Sequence, residues 1–109
     1  MRRPFIDPLE SSTDQYKLLL WDGNRRMYEM RLAAGEKDTL HSHQESLVYF
    51  IKGGKLRLNV RDGEPRELEA KDGATTVYEP WTGSVTNVGE TDVHAIIFET
   101  MTVRSSAGG

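Results

Sequence analysis

The sequence contains no cysteine among its 109 residues, and this absence excludes several kinds of chemistry. Without thiols the chain forms no disulfide, holds no metal through thiolate and has no cysteine nucleophile. Any metal ion would therefore need nitrogen and oxygen ligands. A chain without cysteine also suits a reducing compartment.

Long apolar runs and basic clusters are missing as well. No segment approaches the roughly 20 apolar residues that span a bilayer, and the first eight residues lack the apolar run of a secretory signal. The 14 basic and 17 acidic residues give a net charge of −3 and are spread along the chain, unlike the basic clusters that bind phosphate backbones. We therefore expect a soluble cytoplasmic protein that binds neither membranes nor nucleic acid.

Signatures of common enzyme classes are also absent. The sequence has no Gly-x-Ser-x-Gly motif and no glycine-rich phosphate loop before a helix, so it offers no support for a serine hydrolase or a nucleotide-binding protein. The carboxylates of Glu64, Glu67 and Glu69 lie in a charged segment that is typical of a solvated surface.

What the sequence does contain is a series of short apolar or alternating runs separated by turn residues. This pattern predicts an all-β barrel or sandwich with almost no helix. The clearest alternation places Leu56, Leu58 and Val60 on one buried face. Nine strands are predicted, at 16–21, 26–32, 39–43, 47–51, 55–60, 66–68, 75–78, 85–88 and 94–101, and residues 80–83 are predicted to form a turn.

The length allows one domain. We expect an amino-terminal arm at residues 1–15, a single β-barrel domain at 16–103 and a flexible tail at 104–109.

Two of the three histidines, His41 and His43, are separated by one residue. Because side chains alternate faces along a strand, both imidazoles point the same way and can approach one metal ion. The pair predicts a mononuclear metal site. The alternative is two surface histidines at the start of a strand.

The residues around this pair resemble the cupin superfamily. Gly35, His41, His43 and Gly54 have the spacing of its first motif, and Gly73, Pro80, Gly83 and the segment 87–89 are similar to a compressed second motif. The resemblance covers roughly residues 26–100 and implies a double-stranded β-helix, the cupin jelly-roll barrel.

The resemblance also implies a ligand set. In the family, two histidines of the first motif, a glutamate four residues later and a histidine of the second motif hold a metal. His41 and His43 match the first two positions. Leu47 stands at the glutamate position and Gly83 at that of the second-motif histidine, so half of the usual set is missing.

Two other residues are candidates for the missing ligands. Glu45 completes a two-histidine, one-carboxylate triad if the chain bends after His43; otherwise it is a solvated loop residue. His94 shares a face with Ile96 and Phe98, so its imidazole is either a third ligand or a packed histidine in the interior or at a subunit interface.

The candidate pocket is formed by Leu47, Tyr49, Trp81 and Gly83. Strand alternation places Leu47, Tyr49 and Ile51 on one side, where the Tyr49 hydroxyl can orient a ligand. Trp81 precedes Gly83 near the barrel mouth and is a candidate gate; the alternative is packing over the barrel end.

Two functions follow. The first is an enzyme that uses a divalent metal (Fe, Mn, Ni or Zn) bound by His41 and His43 to act as a dioxygenase or isomerase on a small oxygenated organic compound. The alternative is a metal-free or vestigial cupin that binds a small molecule without catalysis. In both cases we expect a homodimer, because apolar residues in the segment 5–9 need covering and sheet edges favour pairing.

Overall fold

A computed structural model gives the structure of residues 4–101. Its elements in chain order are α1 (Pro8–Ser11), β1 (Tyr16–Asp22), β2 (Arg25–Leu32), β3 (His41–His43), β4 (Ser46–Lys52), β5 (Gly54–Val60), β6 (Arg66–Ala70), β7 (Thr75–Tyr78), β8 (Trp81–Asn87) and β9 (Val93–Thr100). The predicted tail at 104–109 and the last two residues of the predicted domain lie outside the described residues.

The strands form two antiparallel sheets. One sheet has five strands in the order β1-β2-β9-β4-β7, and the other has four in the order β3-β8-β5-β6. The hairpins β1–β2 and β5–β6 join strands that are consecutive in sequence, whereas the other neighbouring strands come from distant parts of the chain, as in a jelly roll. The prediction of an all-β fold of this type is confirmed.

The core lies between the sheets and is made of inward-facing side chains from alternate positions. Leu56 and Leu58 on β5 are buried as predicted, and Val60 at the strand end is half-buried. The buried apolar set is Tyr16, Tyr28, Met30, Leu32, Val48, Phe50, Leu56, Leu58, Val85, Val93, Ala95 and Ile97.

One strand boundary differs from the prediction and matters for the site. Residues 80–83 were predicted as a turn because Pro80 and Gly83 are turn formers, but β8 begins at Trp81. Proline lies just before the strand, where its missing N–H breaks no ladder bond. Trp81 and Gly83 therefore pair with His43 and His41 across the β3–β8 ladder.

The amino-terminal segment is bound to the barrel by hydrogen bonds that begin at Ile6. Asp7 caps α1 by accepting a hydrogen bond from the Leu9 amide. Ile6 exchanges hydrogen bonds with Ser42 on β3, and Leu9 packs against the core. Most apolar groups of segment 5–9 are thus covered by the same chain. Among residues 4–101, no helix has the length and apolar character needed to cross a membrane.

Candidate functional site

His41 and His43 lie side by side inside one end of the barrel, on β3. Both side chains are buried, and their ring centroids are 4.6 Å apart with the rings nearly perpendicular. Strand alternation points them to the same side, as the sequence predicted. Tyr16 from β1, Tyr28 from β2 and Trp81 from β8 surround the pair.

Both ring nitrogens of His41 have partners. Nδ1 lies 2.7 Å from the Thr39 carbonyl, to which it must donate, and Nε2 lies 3.2 Å from the Tyr16 hydroxyl. The same hydroxyl lies 2.9 Å from Oδ2 of Asp38. The Tyr16 hydroxyl donates to this carboxylate.

Asp38 and Tyr16 are both buried beside His41. Burial is the largest cause that raises the pKa of Asp38 above its ordinary value, and burial followed by the charge of Asp38 raises that of Tyr16. Nε2 of His41 lies within hydrogen-bond distance of the Tyr16 hydroxyl, which Asp38 holds in place. This nitrogen therefore already has a partner in the protein.

His43 differs from His41 because one of its nitrogens is free. Nδ1 lies 2.7 Å from the Tyr28 hydroxyl, whereas Nε2 has no hydrogen-bond partner among residues 4–101. Burial, then the charges of His41 and Arg26, lower the pKa of His43 well below its ordinary value, so the ring is neutral. Nε2 is thus one polar group of the site that is free for a ligand.

A cluster of buried charged side chains holds the strand that carries the two histidines. The guanidinium of Arg26 on β2 donates from Nε to Glu99 on β9 at 3.1 Å, and its other two nitrogens reach Asp7 at 2.9 and 3.1 Å. The side chains of Arg26 and Glu99 are fully buried. Glu99 also accepts a hydrogen bond from the Gln44 amide, just after His43. The cluster therefore fixes the end of β3 to the opposite sheet.

The predicted additional ligands lie elsewhere. Glu45 is exposed beyond the end of β3, so the chain does not bend to bring it towards the histidines. His94 lies on the outer face of the five-stranded sheet, where Nε2 is 3.1 Å from Oε1 of Glu29 on β2. Neither side chain reaches the His41–His43 pair, and both expectations are corrected.

The position of the missing second-motif histidine is filled by a different group. Gly83 lies opposite His41, and the Trp81 ring folds over it: a Cβ added at Gly83 would meet Trp81 Cζ3 at 2.8 Å and the Asn59 carbonyl oxygen at 2.2 Å. No larger side chain fits there without moving β5.

The residues present therefore do not fit the expected metal. Among residues 4–101, no three His, Cys, Asp or Glu side chains are arranged to hold a metal ion. Of the two histidines, His41 has both nitrogens engaged, and a side chain at position 83 would meet the Trp81 ring and the backbone of β5.

The space inside the barrel is small. A cavity of about 40 Å³ is bordered by His43, Tyr16, Trp81 and apolar core side chains. A single water needs on the order of 10–15 Å³ by this measure, so the interior suits a few waters rather than an organic molecule.

A larger pocket opens at the barrel mouth, on the other side of His43 and Trp81. Its volume is about 320 Å³, and the side chains that matter for binding are Phe5, Ser42, His43, Gln44, Arg61 and Trp81. Arg61, which follows β5, makes no salt bridge with any described residue. We call this space the mouth pocket; it combines aromatic walls with one cation and several hydrogen-bonding groups. Trp81 borders both spaces.

Leu47 and Tyr49 do not line either space. Their side chains and that of Ile51 share a face, as predicted, but it is the outer face of the five-stranded sheet, where 54%, 48% and 40% of their surface is exposed. Val48 and Phe50 point inward instead. Both faces of β4 carry apolar residues. Alternation therefore predicted correctly which side chains share a face, but not which face points into the barrel.

Several site residues were not found from the sequence: Tyr16, Asp38, Arg26, Glu99 and Arg61. Arg26 and Glu99 are opposite each other in the β2–β9 ladder but 73 residues apart in sequence. The available signal was one charged residue on the otherwise apolar inward face of each strand. Recognising it requires the strand register.

Comparisons with known proteins identify the fold. No protein-family model and no curated protein matches the chain. A solved cupin domain from Bordetella pertussis Tohama I is similar at a TM-score of 0.71, with 18% identity over 94% of this chain and 99% of that one. A cupin-like protein from Thermotoga maritima MSB8 gives 0.61, with 20% identity over 84% and 75%.

A third solved structure, a Klebsiella pneumoniae protein described as having a double-stranded β-helix domain, also has a TM-score of 0.61, with 12% identity over 77% of this chain and 73% of that one. These likenesses show the fold alone: the chain folds as a small cupin-type barrel.

Proposed function

We propose that this small domain with the cupin fold binds a small organic carboxylate in its mouth pocket, without a metal ion as mediator. The observation that carries the proposal is the placement of Arg61 and His43 in the same 320 Å³ pocket. The guanidinium is a bidentate donor for a carboxylate. Nε2 of His43 is a second hydrogen-bonding group for another polar atom of the ligand.

The walls of the pocket define the rest of the ligand. Trp81 and Phe5 offer aromatic faces against which a flat or apolar body packs. Pockets for small molecules commonly have volumes of about 300–1,000 Å³, so this one is at the lower limit. The proposal is therefore a compact acid with an apolar or aromatic body.

Benzoate is a suitable probe for this chemistry, and benzamide is its neutral counterpart. The chain has two tryptophans, so a Trp21→Phe background leaves Trp81 as the reporter of the pocket. Benzoate is expected to change the fluorescence of Trp81 saturably, and benzamide to bind at least about tenfold more weakly, because it lacks the charge that Arg61 recognises.

Matched variants test the role of the arginine. Arg61→Gln is expected to weaken benzoate binding about 10- to 100-fold, the value of a charge-assisted hydrogen bond. Arg57→Gln is the control, since Arg57 is exposed on β5 and pairs with Glu67 instead. Equal affinity of the Arg61 variant and its parent, or no saturable change with benzoate, contradicts the proposal.

A metal-dependent oxygenase or isomerase is the second candidate. The observation in its favour is the adjacency of the His41 and His43 rings. Against it, metal binding requires the Tyr16 hydroxyl to leave Nε2 of His41 and the Trp81 ring to move from Gly83. We expect purified protein to carry less than about a tenth of an equivalent of Fe, Mn, Ni or Zn by elemental analysis, because a two-histidine set binds weakly. One equivalent that disappears in the His41→Ala/His43→Ala double variant establishes this candidate instead.

A further inference from the structure

The outer surface of the five-stranded sheet carries a continuous apolar row. Five side chains follow one another across the strand ladders, one from each strand: Leu20, Met27, Phe98, Leu47 and Val77. Ile96 and Tyr49 form a shorter second row beside it. We call these seven residues the outer apolar face.

Several side chains of this face are more than half exposed. Leu20 is 59% exposed, Leu47 54% and Val77 61%. If a large side chain has roughly 150–250 Å², the seven residues together leave on the order of 500 Å² in contact with water. A standard interface covers about 800 Å² on each partner, with an apolar centre and a polar rim. The outer apolar face would supply the apolar centre of such an interface.

The charges beside the central row have a regular arrangement. On one side of it lie Asp22 on β1 and Arg25 on β2; on the other side, on the same two strands, lie Lys17 and Glu29. On β2 the two charges lie two residues on either side of Met27. On β1 they lie two and three residues from Leu20, and the irregularity between Leu18 and Leu20 keeps Lys17 opposite Glu29.

This arrangement is complementary to itself under one rotation. A two-fold axis that runs along the central row turns the second face towards the first and reverses its strands. The row then lies over its own copy, Asp22 faces Lys17 of the other copy, and Arg25 faces Glu29. No like charges meet among these four pairs of positions. A contact of this kind is isologous and closed.

We propose that two copies of this chain associate through the outer apolar face, about a two-fold axis along its central row. This interface differs from the pairing of sheet edges expected from the sequence. It is separate from the mouth pocket, which is lined by residues of β3, β8 and the amino-terminal segment. The two sheets pack face to face at about 10 Å, as in a β-sandwich.

Light scattering on the full chain tests the association. The native protein is expected to have twice the 12.3 kDa mass of one chain. Leu47→Lys is expected to raise the dimer dissociation constant about 30-fold or more, because it places a charge at the centre of the buried row. Leu47 is exposed in the single chain, so its replacement leaves the fold intact.

A control and a charge exchange make the test specific. Val88→Lys changes an apolar residue that is 39% exposed just after β8 of the other sheet, and it should leave the dimer unchanged. Lys17→Asp is expected to weaken the dimer about 3- to 10-fold, and adding Asp22→Lys to restore it. A monomeric native protein, a Leu47→Lys dimer of native affinity, or dissociation by Val88→Lys overturns the proposal. If the double variant Lys17→Asp/Asp22→Lys does not regain the native dimer affinity, the proposed two-fold axis along the central row is wrong.

Discussion

Replacing Arg26 by methionine is expected to lower the free energy of unfolding by about 3–5 kcal/mol. The Arg26 side chain is fully buried and pairs with Glu99, which is fully buried as well, and with Asp7. Methionine fills much of the same space but leaves the Glu99 carboxylate without its cation. Urea denaturation followed by circular dichroism measures the loss.

Arg25→Met is the matched control for this prediction. Arg25 is the neighbouring residue on β2 and pairs with Asp22, but both side chains are more than half exposed. An exposed pair contributes about 0–1 kcal/mol, so this variant should unfold close to the native midpoint. Equal losses in the two variants contradict the role assigned to the buried cluster.

The pH dependence of the free energy of unfolding tests whether the unpaired charge of Glu99 causes this loss of stability. Burial raises the pKa of Glu99 above its ordinary value of 4.5. A carboxyl whose pKa is raised in the folded state stabilises the fold fully only below its unfolded pKa, and this contribution is lost as the pH rises through the folded pKa. Arg26 opposes the rise. The loss of unfolding free energy caused by Arg26→Met should therefore be smallest below pH 4.5 and largest at neutral pH. A loss that does not change with pH contradicts this mechanism.

The strands of this protein could be predicted from the sequence because its separators are strong turn formers. Which face of β4 points into the barrel could not be predicted in this way. Leu47, Tyr49 and Ile51 form one apolar set, and Val48 and Phe50 form another. Alternation identifies a buried face only when the opposite face is polar. A strand with two apolar faces indicates that both are covered, and which of them faces the barrel depends on its neighbours in the sheet.

The candidate site shows a related limit. The sequence identified His41 and His43 as neighbours because the relation is local, within one strand. Their actual partners, Tyr16 and Tyr28, come from the other sheet. Such contacts depend on how the two sheets are packed, which no local spacing encodes. The resemblance supplied positions for further ligands, but it did not show what occupies them.

Replacing Gly83 by alanine is expected to lower the free energy of unfolding by about 3 kcal/mol, at the upper end of the usual cost of overpacking. The added methyl group would lie 2.2 Å from the Asn59 carbonyl oxygen and 2.8 Å from the Trp81 ring. The ring can rotate away, but the carbonyl belongs to the backbone of β5. Relief therefore requires that β5 and β8 separate. Thermal or urea denaturation measures the loss, and a change in Trp81 fluorescence reports the displaced ring.

Gly63→Ala is the control, because Gly63 lies in an exposed turn and an added methyl group would meet its nearest neighbour, Cγ1 of Val60, at 3.3 Å. This variant should stay within about 0.5 kcal/mol of the native protein. The comparison also tests the case against a third metal ligand at position 83, since an imidazole needs far more room than a methyl group. If Gly83→Ala is as stable as the native protein, β5 and β8 separate at little cost, and the steric argument against a ligand at this position fails with the prediction.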